Sequence, residues 1–511
     1  MKRLETLPAS PVGGTAAAGM KRAETLPASL VGGAAAPGMK RLLIAAAVWG
    51  CGDNRSDDEP TVLVDRNPDP TIVEVDLVAE QSTAELLPGT LADVWAFRDA
   101  AGRASVPGPL LEANLGDRVI VHFENRLPEP TTIHWHGLRV PNAADGTPVS
   151  QLMIEPGGRY DYEFTAIDAG LYWYHPHMAG DVQVERGLHA PIRIRGGVEP
   201  DVAADRVFVL DDVKLEATGQ LSQTTDNLDM MLGRQGNVVL VDGRPDRTLE
   251  VAAGTRERWR FVNVANGRYF NLDLPGHSFL VIGSDGGVLP TPYQAETLLI
   301  APGERYEVLV EPTSETALRT VFYDRGHNIP NPGPIELMQI RLGPSGAAPG
   351  PLPEFWADVP AIPVDATTPR LTFDLRELDG PPPTFSINNE AYPDVTPIAA
   401  VTDDVAIWDI VNKTEMDHPF HLHGMSFQVI DERSETTGGG NPTGSAGRAG
   451  GSAPRGIDDL RLGRKDTVNV PRMATRRLAV RYGSEGRWMF HCHILEHAER
   501  GMMGELVVTS R

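Results

Sequence analysis

Four short stretches hold ten of the 14 histidines: "HWHG" (His134, His136), "YHPH" (His175, His177), "HPFHLHG" (His418, His421, His423) and "HCHILEH" (His491, His493, His497). Only His122, His189, His277 and His327 lie elsewhere. On an extended strand residues i and i+2 face the same side, so every HxH aims two imidazoles into one space. One such pair is weak evidence, because a single strand histidine is ordinarily solvent-facing or hydrogen-bonded. Four pairs offer eight nitrogens, which suits a cluster of about three metal ions.

The same alternation turns Cys492 away from His491 and His493, towards a separate site. The chain has two cysteines, and the other, Cys51, ends an apolar N-terminal run, so a disulfide framework is excluded. His418, Cys492 and His497 make a His₂Cys set, and Met502 can supply a long axial thioether contact; this is the ligand list of a blue-copper electron-transfer centre. A structural zinc site closes with four ligands and leaves the other histidines without a purpose. An electron arriving at the Cys492 centre reaches the flanking histidines through a few covalent bonds.

Those side chains need strands to carry them. "DRVIVHFEN", "TTIHWHGLRV", "YDYEFTA", "DRVFVLDD", "ERYEVLVEP", "VAIWDIVNK" and "RRLAVRYG" are rich in β-branched and aromatic residues, several with period-two alternation. With 43 Pro and 52 Gly there is little room for long helices, so the chain reads as all-β, a sandwich unit repeated. Three blocks separate, residues 71–196, 197–342 and 361–511, with the Pro/Gly-rich stretch 343–360 as a linker. A "PG(G/E)RY" element occurs in the first two blocks, as "PGGRYDYEF" (Pro156 to Phe164) and "PGERYEVLV" (Pro302 to Val310). "TTGGGNPTGSAGRAGGSAPRG" (Thr436 to Gly456) reads as a disordered surface insertion, with a mobile lid as the alternative.

Residues 1–60 read as leader and linker. A 19-residue stretch occurs twice in tandem, from Lys2 to Met20 and from Lys21 to Met39, and then meets "MKRLLIAAAVWGCGDN", a basic start, a short apolar run and a cysteine. That is an export signal with a lipoprotein-type site at Cys51, and Met39 is the alternative start. Lipidated Cys51 would tie the chain to a membrane in the periplasm or cell envelope. The net charge of −23 comes with no basic block able to track a phosphate backbone, so nucleic acid is not an expected partner.

The four motifs, in this order, resemble those of the three-domain multicopper oxidases, a family that includes laccases, bacterial copper-efflux oxidases and spore-coat laccases. The resemblance covers the chain from about residue 71 to its end. It implies three cupredoxin-like domains and four copper ions. Type 1 copper would take His418, Cys492, His497 and axial Met502; type 2 would take His134 and His421. The type 3 pair would take His136, His175 and His493 on one ion and His177, His423 and His491 on the other. Asp145 matches the family's acid near the type 2 copper, with a turn role before Gly146 as its alternative. Many bacterial members carry a carboxylate directly after the last type 1 histidine; here that position is Ala498, and Glu499 follows. Met503 is expected to pack in the core, and Met230 and Met231 to pack or sit in a loop.

The activity implied is one-electron oxidation of a phenol or aromatic amine coupled to reduction of dioxygen to water, by a monomer. The alternative is a cuprous or ferrous oxidase. A non-enzymatic cupredoxin scaffold would have lost cluster ligands, and a copper nitrite reductase lacks the His-Cys-His arrangement.

Overall fold

The computed structural model describes residues 60–327, 329–378, 380, 382–434 and 463–511, all within one unit, Ser56–Arg511. The tandem repeat, the signal-type run, Cys51 and the Thr436 to Gly456 segment lie outside the described residues.

One strand arrangement occurs three times. Ile72–Leu87 pairs antiparallel with Thr90–Asp99 and parallel with Arg118–Asn125, which pairs antiparallel with Arg159–Thr165. The same order joins Ala204–Val213 to Val238–Val241, Glu257–Asn263 and Arg305–Val310. It also joins Arg370–Leu378 to Thr384–Ile387, Val405–Asn412 and Ala474–Arg481. A parallel pair cannot be closed by a hairpin, so in each case the chain crosses to a facing sheet and returns, which makes a sandwich rather than a flat meander.

Alternation in the sequence decides which face is buried. In Arg118–Asn125 the side chains of Val119, Val121 and Phe123 point inward and pack with Trp135, Tyr162 and Tyr174. Phe208, Trp259 and Phe261 do the same in the second core, and Phe373, Trp408 and Phe490 in the third. The helices among the described residues are short: Gly180–Gln183, Asn227–Leu232 and Leu495–Glu499, with a 3₁₀ turn at Asn142–Ala144. The strand Ile335–Ser345 runs slightly past Leu342, into the stretch read as linker. No helix of the described residues is long and apolar enough to cross a membrane.

The histidine motifs lie in the facing sheets of the first and third sandwiches. Antiparallel register sets His134 opposite His175, and His421 opposite His491 with Phe420 opposite Cys492. Only "HWH" is wholly on a strand. The other pairs start at a strand's end: Pro176 cannot continue the ladder beyond His175, and the chain turns at His423–Gly424 and leaves the strand after Cys492. The rings still converge, because strand and turn together bring each pair to the same edge.

Candidate metal centre

All eight imidazoles of the four pairs meet in one buried region between the first and third sandwiches. His136 and His421 stack at 3.8 Å between ring centroids, and His134 and His423 at 3.9 Å. His136 and His493 lie 4.8 Å apart, His177 and His491 5.1 Å. The ligand atoms of His177, His423 and His491 fall within 4.8 Å of one another, as do those of His134, His136 and His175, and those of His134, His421 and His423.

In most of these rings one nitrogen is anchored outward. Nδ1 of His134, His175, His421 and His491 donates to the carbonyls of Asp145 (2.8 Å), Pro176 (2.9 Å), Asp466 (3.0 Å) and Cys492 (2.9 Å). Nδ1 of His423 lies 3.3 Å from both oxygens of Asp145, and Nε2 of His136 lies 3.0 Å from Thr467 Oγ1 and 3.2 Å from Asp466 Oδ1. A neutral imidazole that donates through one nitrogen offers a lone pair at the other. Nε2 of His134, His175 and His421 and Nδ1 of His136 are buried without a partner among the described residues.

Nε2 of His491 sits 3.0 Å from Nε2 of His423 and 3.3 Å from Nε2 of His177. Lone pairs cannot satisfy one another at those distances; a cation can. Burial first, then the neighbouring imidazoles, hold His136, His175, His177, His423 and His493 well below the usual histidine range, and His491 is lowered to about 3. These six rings are therefore neutral at physiological pH, the state that binds metal.

The second group lies on the other side of the last motif. Cys492 Sγ is 3.5 Å from His418 Nδ1 and 3.8 Å from His497 Nδ1, and the two Nδ1 atoms are 3.2 Å apart. The outer nitrogens are again held: His418 Nε2 by Thr414 Oγ1 at 2.8 Å, His497 Nε2 by the Met231 carbonyl at 3.0 Å. Phe385 stacks on His497 at 3.9 Å. Met502 is fully buried in the same core as Cys492; its carbonyl accepts from the Cys492 amide and its own amide donates to His497 O, both at 3.0 Å. Burial pushes the Cys492 thiol up and lowers His418 to about 3, with Arg325 adding to the latter. A metal entering this pocket displaces the thiol proton.

Asp145 is fully buried, 3.4 Å from His134 Nδ1, and accepts from Thr147 Oγ1 at 3.0 Å. Glu499 reaches the surface, while its Oε1 accepts from the Gly180 amide at 2.6 Å; local burial and then Asp181 push its carboxyl up to about 7. Met503 is buried against Met489 and Ala498, and Met231 is on the short helix Asn227–Leu232 that covers His497.

Sequence reasoning did not single out Thr414, Asp466, Thr467 or Glu496, and it read Met231 as packing or loop. Asp466 touches both His136 and His421, and although burial opposes ionisation, Arg305 and the two histidines hold its carboxyl well below the usual range. Nothing in "RKDTVNVP" distinguishes Asp466 from a strand-end acid. Glu496 did have a signal: it is a carboxylate inside the metal motif on a one-turn helix.

This is a chain of β-sandwiches with a His₂Cys pocket joined through one tripeptide to an eight-imidazole cluster. Models of the multicopper oxidase family match residues 80–198, 211–323 and 366–511. The chain belongs to that family, and its sandwiches are cupredoxin-like. It is 30% identical over 452 residues to the multicopper oxidase MmcO of Mycobacterium tuberculosis, covering 79% of this chain and 81% of that one. With a Bacillus subtilis laccase it shares 27% over 457 residues, 79% and 88% of the two chains. The solved structure of a Campylobacter jejuni multicopper oxidase, described as a metallo-oxidase, superposes with a TM-score of 0.75 at 27% identity, over 89% of this chain and 95% of that one. The protein is thus an oxidoreductase that uses copper, dioxygen and a reducing substrate.

Proposed function

We propose that this multicopper oxidase is laccase-like, with a phenol or aromatic amine as its electron donor, and that it holds four copper ions. The observation that carries this reading is the division of one motif: Cys492 Sγ faces His418 and His497, while His491 and His493 join six other imidazoles. The His₂Cys pocket, with Met502 packed beside it, would hold one ion. His134 and His421 would hold a second, and the sets His136, His175, His493 and His177, His423, His491 would hold the pair. Bound copper supplies the one-electron redox chemistry that the side chains lack.

The residues do the rest. Burial of His418, Cys492 and His497 excludes water, and Thr414 and the Met231 carbonyl fix the two rings. Cys492 gives an unbroken covalent path to both neighbours. Asp145, beside His134 and His423, relays protons to the cluster, and Glu499, at the surface, exchanges protons with bulk water. Leu228 and Met231, exposed on the helix that covers His497, offer an apolar surface for an aromatic donor.

A cuprous or ferrous oxidase is the second reading. It is favoured by Glu377, 3.9 Å from His418 Nε2 and 3.0 Å from His327 Nε2. Oxygen consumption by the copper-loaded protein, measured side by side with a phenol, ferrous iron and cuprous copper, separates the two; faster turnover of either metal ion would displace the phenol. The domain limits 71–196, 197–342 and 361–511, a monomeric state, and export to the periplasm or envelope through the leader, with lipid at Cys51, belong to the same proposal.

A further inference from the structure

The "PG(G/E)RY" element occurs twice, and its two copies meet different surroundings. In the first, a Cβ on Gly157 would meet nothing within 4 Å, and Arg159 is 74% exposed beside Glu124. In the second, a Cβ on Gly303 would stand 2.9 Å from His493 Cδ2 and 3.2 Å from His136 Cε1, and Arg305 is fully buried. Both glycines adopt positive φ, 77° and 84°, so the local turn is the same. The second copy brings the middle sandwich, which contributes no imidazole, against the eight-histidine cluster.

Arg305 is bonded to all three sandwiches. Its Nε donates to Leu171 O at 3.0 Å, its two Nη atoms each donate to an oxygen of Asp466 at 2.6 Å, and Nη2 also donates to Asp285 O at 2.9 Å. Gly137, directly after "HWH", leaves room for this fork, since a Cβ there would collide with Arg305 Nη2 and Asp466 Oδ2. From Asp466 the contacts continue to the rings. Its Oδ1 lies 3.2 Å from His136 Nε2, its carbonyl accepts from His421 Nδ1 at 3.0 Å, and its Oδ1 accepts from Thr467 Oγ1 at 2.9 Å. Thr467 Oγ1 in turn lies 3.0 Å from both His136 Nε2 and His421 Nδ1.

We infer that Arg305 is a positioning residue of the cluster: through Asp466 and Thr467 it fixes the planes of His136 and His421. A guanidinium fork holds both carboxylate oxygens at once, which a point charge does not. Without it nothing clamps both oxygens of the Asp466 carboxylate, and the two rings lose the fixed geometry of their outer anchor. The inference rests on the assignment of copper to His136 and His421.

The test uses the full copper-loaded chain as wild type, Arg305→Met, Arg305→Lys, Asp466→Asn, the Arg305→Met/Asp466→Asn double variant and Arg159→Met. Copper per chain, copper affinity and the paramagnetic resonance of the ion at His134 and His421 report the cluster; blue absorption reports the Cys492 site. Arg305→Met should keep the blue band, lose about 10- to 100-fold in cluster copper affinity and shift the resonance. Arg305→Lys should fall between it and wild type, Arg159→Met should match wild type, and the double variant should bind no more weakly than the worse single one, since both act on one path. Wild-type copper binding and resonance in Arg305→Met, or effects of the two single changes that multiply, would overturn the inference. Should Arg305→Met fail to fold, Arg305→Lys decides: weakened cluster binding with the blue band intact supports it, wild-type values refute it. Copper at the blue site alone in the unaltered protein would overturn the ligand assignment and this inference together, and that failure shows before any substitution is made.

Discussion

Replacing Glu496 by glutamine should stabilise the metal-free protein at pH 8 and have no such effect at pH 4. Glu496 is fully buried; its Oε1 accepts from Asn266 Nδ2 at 2.9 Å, and its Oε2 has no partner among the described residues. Burial pushes its carboxyl from the ordinary 4.5 up to about 7, against the hydrogen bond from Asn266. In the unfolded chain the same group ionises near 4.5. Below that pH both states are protonated and the group has no pH effect on stability. As pH rises towards 7 the folded state keeps a proton that the unfolded state has lost, so stability falls, and above 7 the loss is complete. The interval from 4.5 to about 7 corresponds to about 3 kcal/mol. Glutamine keeps the acceptor for Asn266 and carries no charge to bury, so the penalty should vanish. Guanidinium unfolding of both proteins at pH 4, 6 and 8 reads the difference. An equal gap at every pH, or a wild type more stable than the variant at pH 8, would refute the reasoning.

Cys492→Ser should abolish the blue absorption and substrate oxidation while the remaining copper stays bound, since a hydroxyl cannot supply a soft thiolate; a variant that stays blue sinks the assignment. Met502→Leu should raise the potential of the blue site, because removing a weak axial donor destabilises the oxidised ion, and a redox titration showing a lower or unchanged value would mean Met502 is not axial. Asp145→Asn should keep copper and colour, leave anaerobic reduction by substrate unchanged and slow reoxidation by dioxygen roughly 100-fold, more at high pH. Normal reoxidation at full copper content would move the proton role to Glu499 or water.

The parts of this centre written locally were legible. Strand alternation foretold that Cys492 turns away from His491 and His493, because that relation spans three residues of one chain segment. The all-β class followed from the same period-two patterns. What spans the sandwiches was not legible: Arg305 and Asp466 are 161 residues apart, and each alone looks like an ordinary strand-end charge. The "PGERY" copy gave no sign that it differs from "PGGRY", since the turn is the same and only its surroundings change. Nor did "NLDMML" show that the Met231 carbonyl would hold His497, a contact made by backbone, which carries no residue signature.

We propose full reduction of dioxygen at an eight-imidazole cluster fed with single electrons from a His₂Cys copper site. It is tested most directly by counting, with an oxygen electrode and a one-electron donor, how much donor is oxidised per dioxygen consumed by the copper-loaded protein. Four donor molecules per dioxygen and no hydrogen peroxide are expected. Two per dioxygen with matching peroxide, or no oxygen uptake by protein that carries its full copper complement, would contradict it.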